Sequence, residues 1–135
     1  MILGWMRPLL AASIVFAGAA VAAPVQAPGL AALGTLESGD WELRVRGRGG
    51  AVKHLCLGDT RELLQVQHSG RSCSRFVVTD TAQQIVVTYD CAAAGNGRSD
   101  LRIETPRLVQ IQSQGISNGA PFSFSMEARR VGVCR

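Results

Sequence analysis

The sequence predicts an all-β domain with a minor helical part: an antiparallel meander sheet, curled or partly closed into a barrel, with one short helix. Three observations predict it. The dominant hydrophobic period after residue 40 is two, the signature of half-buried strands. Gly-rich and Asn-Gly turns fall between these runs. Four cysteines in a chain of 135 residues provide a covalent framework for a small core.

Trp41, Leu43 and Val45 alternate with Glu42, Arg44 and Arg46, which makes a first strand. Gly47-Arg48-Gly49-Gly50 is a turn, and Val52 to Leu57 forms a second strand in a hairpin with the first. Asp59-Thr60-Arg61-Glu62 has the form of a capping box, so Leu63, Leu64 and Val66 belong to one or two helical turns that Ser69-Gly70 stops. The β-branched runs Arg75 to Thr79 and Ile85 to Cys91 are strands. Gly95-Asn96-Gly97 is expected to break the chain before Leu101 to Thr105 resumes the alternation. The last hairpin is the clearest. Asn118-Gly119 is a type I′ turn signal that sets Ser117 opposite Ala120. Ile111 then faces Met126, Val109 faces Ala128, Ser113 faces Phe124, Gln110 faces Glu127 and Gln112 faces Ser125. One face is apolar and the other polar, and a slip of one residue would mix them.

Residues 1–22 read as a secretory signal peptide. A short basic n-region precedes the apolar run Leu9 to Val21, which is short of the roughly 20 residues that span a bilayer. Ala20-Val21-Ala22 before Ala23 is the expected cleavage site, with Val25-Gln26-Ala27 as the alternative. Residues 23–34 are expected to be a flexible Ala/Pro/Gly tether, and residues 35–135 a single disulfide-bridged domain. The expected location is the periplasm, without membrane insertion once the signal is cleaved. Export agrees with the even number of cysteines, Cys56, Cys73, Cys91 and Cys134. Cys73 and Cys91 flank one hairpin, and Cys134 returns to the end of the sheet where Cys56 lies. The expected pairs are therefore Cys56–Cys134 and Cys73–Cys91, with the other two connectivities left open.

The formal net charge is +4, and thirteen of the fourteen basic residues are arginine. They are scattered among acidic residues and form no stripe, so nucleic acid is not an expected partner. No Gly-x-Ser-x-Gly stretch is present for a serine nucleophile, and two disulfides leave no thiol. His54, His68, Asp59 and Glu62 are ligand types that suit zinc, but their spacing fits no compact motif. Glu37, Asp40 and Glu42 supply carboxylates without a sign of a shared cleft. Gly47-Arg48-Gly49-Gly50 lacks the Lys-Ser/Thr and the helix of a phosphate cradle. No catalytic residue, metal ligand or cofactor is assigned.

The residues Gly39-Asp40-Trp41-Glu42, Cys56-Leu57-Gly58-Asp59, Cys73, Cys91 and Arg130-Val131-Gly132-Val133-Cys134 occur in an order that resembles the exported bacterial proteins of domain-of-unknown-function family 3617. The chain departs from that pattern at two places. Ser38-Gly39 stands where the family often has Pro-Gly, and Gly58-Asp59-Thr60 where it often has Thr-Pro-Glu. The resemblance implies a periplasmic, disulfide-bonded β-rich domain with no assigned activity.

The expected function is therefore non-enzymatic binding of a small ligand or an envelope protein, on an apolar concave face near Trp41, Ile111, Phe124 and Met126. Trp41→Ala should then weaken binding more than folding. The alternative is a periplasmic inhibitor of a hydrolase, presenting Gly47 to Gly50, Ala92 to Arg98 or Ser117 to Pro121 as a rigid loop. A metal-assisted hydrolase using His54 and His68 is the third reading.

Overall fold

Seven strands form one antiparallel sheet in the order β2-β1-β7-β6-β5-β4-β3. The computed structural model describes residues 29–47 and 49–135, together with positions 18 and 22. The expected signal peptide, its cleavage sites and residues 23–28 of the expected tether lie outside the described residues, apart from Gly18 and Ala22. The strands are β1 (Gly39–Val45), β2 (Val52–Leu57), β3 (Ser74–Asp80), β4 (Gln84–Asp90), β5 (Gly95–Thr105), β6 (Leu108–Ser117) and β7 (Ala120–Gly132). Strands β3 to β7 are a five-stranded meander, and β7 also pairs with β1, which brings in the β1–β2 hairpin. The sheet remains open, with β2 and β3 as its edges.

The period of two divides the sheet into two unlike faces. On one, Trp41, Leu43, Leu57, Ile85, Val87, Leu101, Val109, Ile111, Met126 and Ala128 make a single apolar core. Each large side chain withdrawn from water here contributes about 1.5–3 kcal/mol. Such a face must be covered, and two 3-10 segments cover it. Thr60–His68 carries the chain from edge β2 across to edge β3, packing against β5 and β6. Ala31–Thr35 adds Ala32 and Leu33, and Leu36 follows it into the same core. The expected tether is corrected accordingly: the folded domain starts before residue 35, because Leu33, only 3% exposed, has an apolar surface to bury.

The expected helix is two short 3-10 pieces joined at Gln65, whose backbone is not helical (φ −143°, ψ 48°). Asp59 caps the first piece by accepting from the Arg61 amide at 3.0 Å. The buried Gln65 amide donates to the His68 and Arg71 carbonyls at 3.1 and 2.8 Å and accepts from Arg75 at 2.8 Å. These bonds hold the chain at the kink and explain a glutamine in an apolar strap.

The final hairpin has the expected register from Ser117↔Ala120 through Ile111↔Met126 to Val109↔Ala128, with Asn118 and Gly119 both at positive φ. Gly95-Asn96-Gly97 departs from expectation, because it begins β5 instead of interrupting the chain. Its glycines serve close approach. A Cβ at Gly97 would stand 2.5 Å from the Tyr89 hydroxyl, and one at Gly95 would strike the Ile116 carbonyl. Cys56 pairs with Cys134 and Cys73 with Cys91, and no cysteine among the described residues is free. Each bridge therefore ties one edge strand, β2 or β3, into the body of the sheet. Two disulfides point to maturation in an oxidising, non-cytoplasmic compartment. No helix among the described residues is long and apolar enough to cross a membrane.

Candidate functional site

Among the described residues, none forms a strap over the face of the sheet turned away from the core. Its side chains stand in cross-strand rows fixed by the register. Phe76, Thr88, Arg98, Gln114 and Ser123 form one row, and Val86, Asp100, Gln112 and Ser125 form the next. A third row runs from Gln84 through Arg102 and Gln110 to Glu127 and Arg44. Two hollows, of about 750 and 740 Å³, lie along these rows and meet at Ser123. Together they make a trough across the middle of the sheet.

The two halves of the trough differ in how their polar groups are used. In the half nearer β1, Gln84 donates to both Asp100 oxygens at 3.0 and 3.1 Å. Gln110 accepts from Arg46 and donates to Glu104 and Glu127 at 3.4 and 3.3 Å. Hydrogen bonds from Gln110 and then Arg129 hold the Glu127 carboxyl below its ordinary range, and Arg102 does the same for Glu104. These groups satisfy one another. In the half nearer β3, the side chains of Thr88, Asn96, Arg98, Gln114 and Ser123 make no hydrogen bond or ion pair among the described residues. They surround a hollow whose rim carries Phe76, 70% exposed. Its remaining acid, Asp90, accepts from the Ala92 amide at 2.7 Å.

On the core face a second polar group is sealed from water. His68 is 3% exposed, and its Nε2 donates to the Ala94 carbonyl at 3.1 Å. A carbonyl can only accept, so in the neutral ring Nδ1 is the bare nitrogen and accepts from the Tyr89 hydroxyl at 3.0 Å. Burial raises the Tyr89 pKa, and the neighbouring Ser113 hydroxyl partly opposes the shift. Beside Tyr89, the hydroxyls of Ser99 and Ser113 share a hydrogen bond at 3.0 Å, both side chains buried. The Phe122 ring closes over His68 edge-on at 5.8 Å. Every member has its partners and none reaches solvent, so this chain of bonds fastens the strap to the sheet.

The residues expected to form a ligand face are placed differently. Trp41 is fully buried and donates Nε1 to the Glu37 carbonyl at 2.9 Å. Ile111 and Met126 are 1% and 4% exposed, and Phe124 is half-buried against the same core. The apolar face on which these side chains lie is packed beneath the 3-10 straps, and Ile111, Phe124 and Met126 also border the second hollow, whereas Trp41 borders neither. His54 and His68 lie on opposite faces of the sheet and do not converge with Asp59 and Glu62. His54 Nδ1 meets Asp40 at 3.1 Å and its Nε2 lies 4.0 Å from Glu42, while Glu37 binds Arg107 at 2.8 Å. No cluster among the described residues is arranged to hold a metal ion. Of the three loops expected to present themselves, two sit together, since the Asn118 amide donates to the Ala94 carbonyl at 3.2 Å.

Sequence reasoning missed Phe76 and Gln114, and met Arg98 only as the end of a candidate inhibitory loop. The signal was present in part: Gln110, Gln112 and Gln114 alternate in β6 opposite Ser123 and Ser125, but a polar strand face reads by default as solvated surface. Comparison of the chain with protein-family models, with curated proteins and with solved structures returns no match.

Proposed function

We propose that this chain is an exported binding domain of the bacterial periplasm that works without catalysis and uses the uncovered polar face of its sheet as the recognition surface. The observation that carries the reading is the trough. It is shallow and open, and its β3 half offers a guanidinium, amides, hydroxyls and an aromatic ring that the fold itself leaves unused. The disulfides fit the compartment, and the apolar run Leu9 to Val21 fits an export signal. The order of Gly39-Asp40-Trp41-Glu42, the cysteines and the Arg130 to Cys134 end supports membership of domain-of-unknown-function family 3617.

Gln114→Trp tests the reading by filling the trough from an exposed position. Native mass spectrometry of the protein purified gently from its own envelope should show a bound mass on the wild-type chain and not on the variant. An adduct retained in full by Gln114→Trp places the binding surface elsewhere and sinks the proposal. A hydrolase inhibitor is the second reading, favoured by the joined pair of turns at Ala94 and Asn118. Insertion of bulk at Gly119, and not at Gln114, would abolish an inhibitory activity.

A further inference from the structure

We infer that the β3 half of the trough takes a carboxylated saccharide unit, a hexopyranose bearing an acid group; this inference rests on the open face being the binding surface. Phe76 and Arg98 stand in the same row on β3 and β5 with Thr88 of β4 between them. Two strand spacings separate them by about 10 Å, the span of one substituted sugar ring lying across Thr88. Phe76, 70% exposed, provides an aromatic face for the apolar C–H side of a pyranose, at a position where an exposed aromatic contributes little to folding.

The acid group is assigned by Arg98. Its guanidinium is exposed and makes no ion pair among the described residues, while the acids near it have other partners. Asp100 receives Gln84, and Asp90 receives the Ala92 amide. A planar fork of donors without a partner is the complement of a carboxylate. Gln114 and Ser123 continue the row on β6 and β7, presenting donors and acceptors one strand apart to ring hydroxyls. A peptide is less suited to this surface. It would seek the free backbone of an edge strand, and edge β3 carries a bulge between Val77 and Thr79 that interrupts such pairing.

The test titrates the disulfide-bonded chain with trigalacturonate, with its neutral methyl ester and with trialanine, reading calorimetry and backbone amide shifts. Trigalacturonate should bind and shift the amides of β3 to β6 around Arg98. Arg98→Gln and the methyl ester should each lower affinity by about tenfold or more, the loss of a charge-assisted bidentate contact. Phe76→Ala should lower it about fivefold, and both variants should keep the wild-type unfolding curve, since both side chains are exposed. An ester that binds as well as the acid overturns the anionic assignment. Trialanine that shifts the trough while both sugars are silent overturns the saccharide and leaves the binding surface standing. Silence from all three probes also overturns the saccharide. The binding surface falls with it only if Gln114→Trp keeps the full envelope adduct.

Discussion

Removing one oxygen atom from the core, by Tyr89→Phe, tests the buried hydrogen-bond chain. Tyr89 is the only tyrosine in the sequence, and it is 4% exposed. Its hydroxyl donates to His68 Nδ1 at 3.0 Å, and His68 is buried as well. The ring of phenylalanine fills nearly the same space over Gly97, so no cavity forms, and the loss comes from groups left without partners. A buried polar atom stripped of its bond costs about 1–3 kcal/mol. The substitution leaves His68 Nδ1 as the unpaired atom, so the expected loss is about 2 kcal/mol. Urea unfolding would read this as a lower midpoint with an unchanged slope.

Alkaline titration gives an independent check on the same residue. Burial raises the folded pKa of Tyr89 above its unfolded value, so its contribution to stability is whole below the unfolded pKa, near 10 for a free phenol. That contribution is lost as pH climbs through the folded pKa, where ionisation favours unfolding. Phenolate absorbance, which this chain owes to Tyr89 alone, should therefore lag behind that of a free tyrosine and then rise together with unfolding. The alkaline loss should vanish in Tyr89→Phe. A stability change below about 0.5 kcal/mol would refute the Tyr89–His68 bond, and a phenol that titrates normally in the folded chain would refute its burial.

The other predictions concern packing and covalent links. Trp41→Ala should cost about 3–5 kcal/mol, because the ring is fully buried, and among molecules that stay folded it should leave ligand affinity unchanged. Replacing Cys56 and Cys134 together by serine should cost about 4.5 kcal/mol against about 3 for Cys73 with Cys91, following sequence separations of 78 and 18. Equal costs in denaturant would show that native contacts, and not loop closure, set the difference. Gly97→Ala should destabilise by more than about 1 kcal/mol, since its methyl group meets the Tyr89 ring carbons at 2.6 and 2.9 Å; a neutral result in thermal unfolding would mean that the ring can move aside.

What the sequence revealed depended on whether the cause was local. Asn118-Gly119 dictates a turn type, the turn dictates the register, and every pair from Ser117↔Ala120 to Val109↔Ala128 follows. The cysteine pairing was also legible, because Cys73 and Cys91 bracket a hairpin whose direction can be followed along the chain. Gly95 and Gly97 were misread for the opposite reason. Their glycines answer to Ile116 and Tyr89, partners brought close by the sheet and invisible in a window of ten residues. Leu33 and Leu36 lie in an Ala/Gly-rich stretch with no periodicity, and only the uncovered core face gives them a place. The candidate site suffered from the same gap. Trp41 and Met126 drew attention as apolar residues on one face, yet that face also attracts the straps. Arg98 makes no ion pair among the described residues, a property that no linear pattern records.

The bridge between Cys56 and Cys134 also determines how the domain would answer to force. Tension between residue 29 and residue 135 runs along β1 and β2 to Cys56, crosses the sulfur atoms and leaves by Cys134, so residues 57–133 bear none of it. Fully stretched, the loaded path is about 100 Å long, against about 370 Å for the same chain without the bridge. A pull would strip the β1–β2 hairpin from β7 and then stop. The whole meander from β3 to β7, with its trough, lies within the unloaded loop and is not drawn straight by the pull, although the loss of Trp41 and Leu43 bares the core it shares with them.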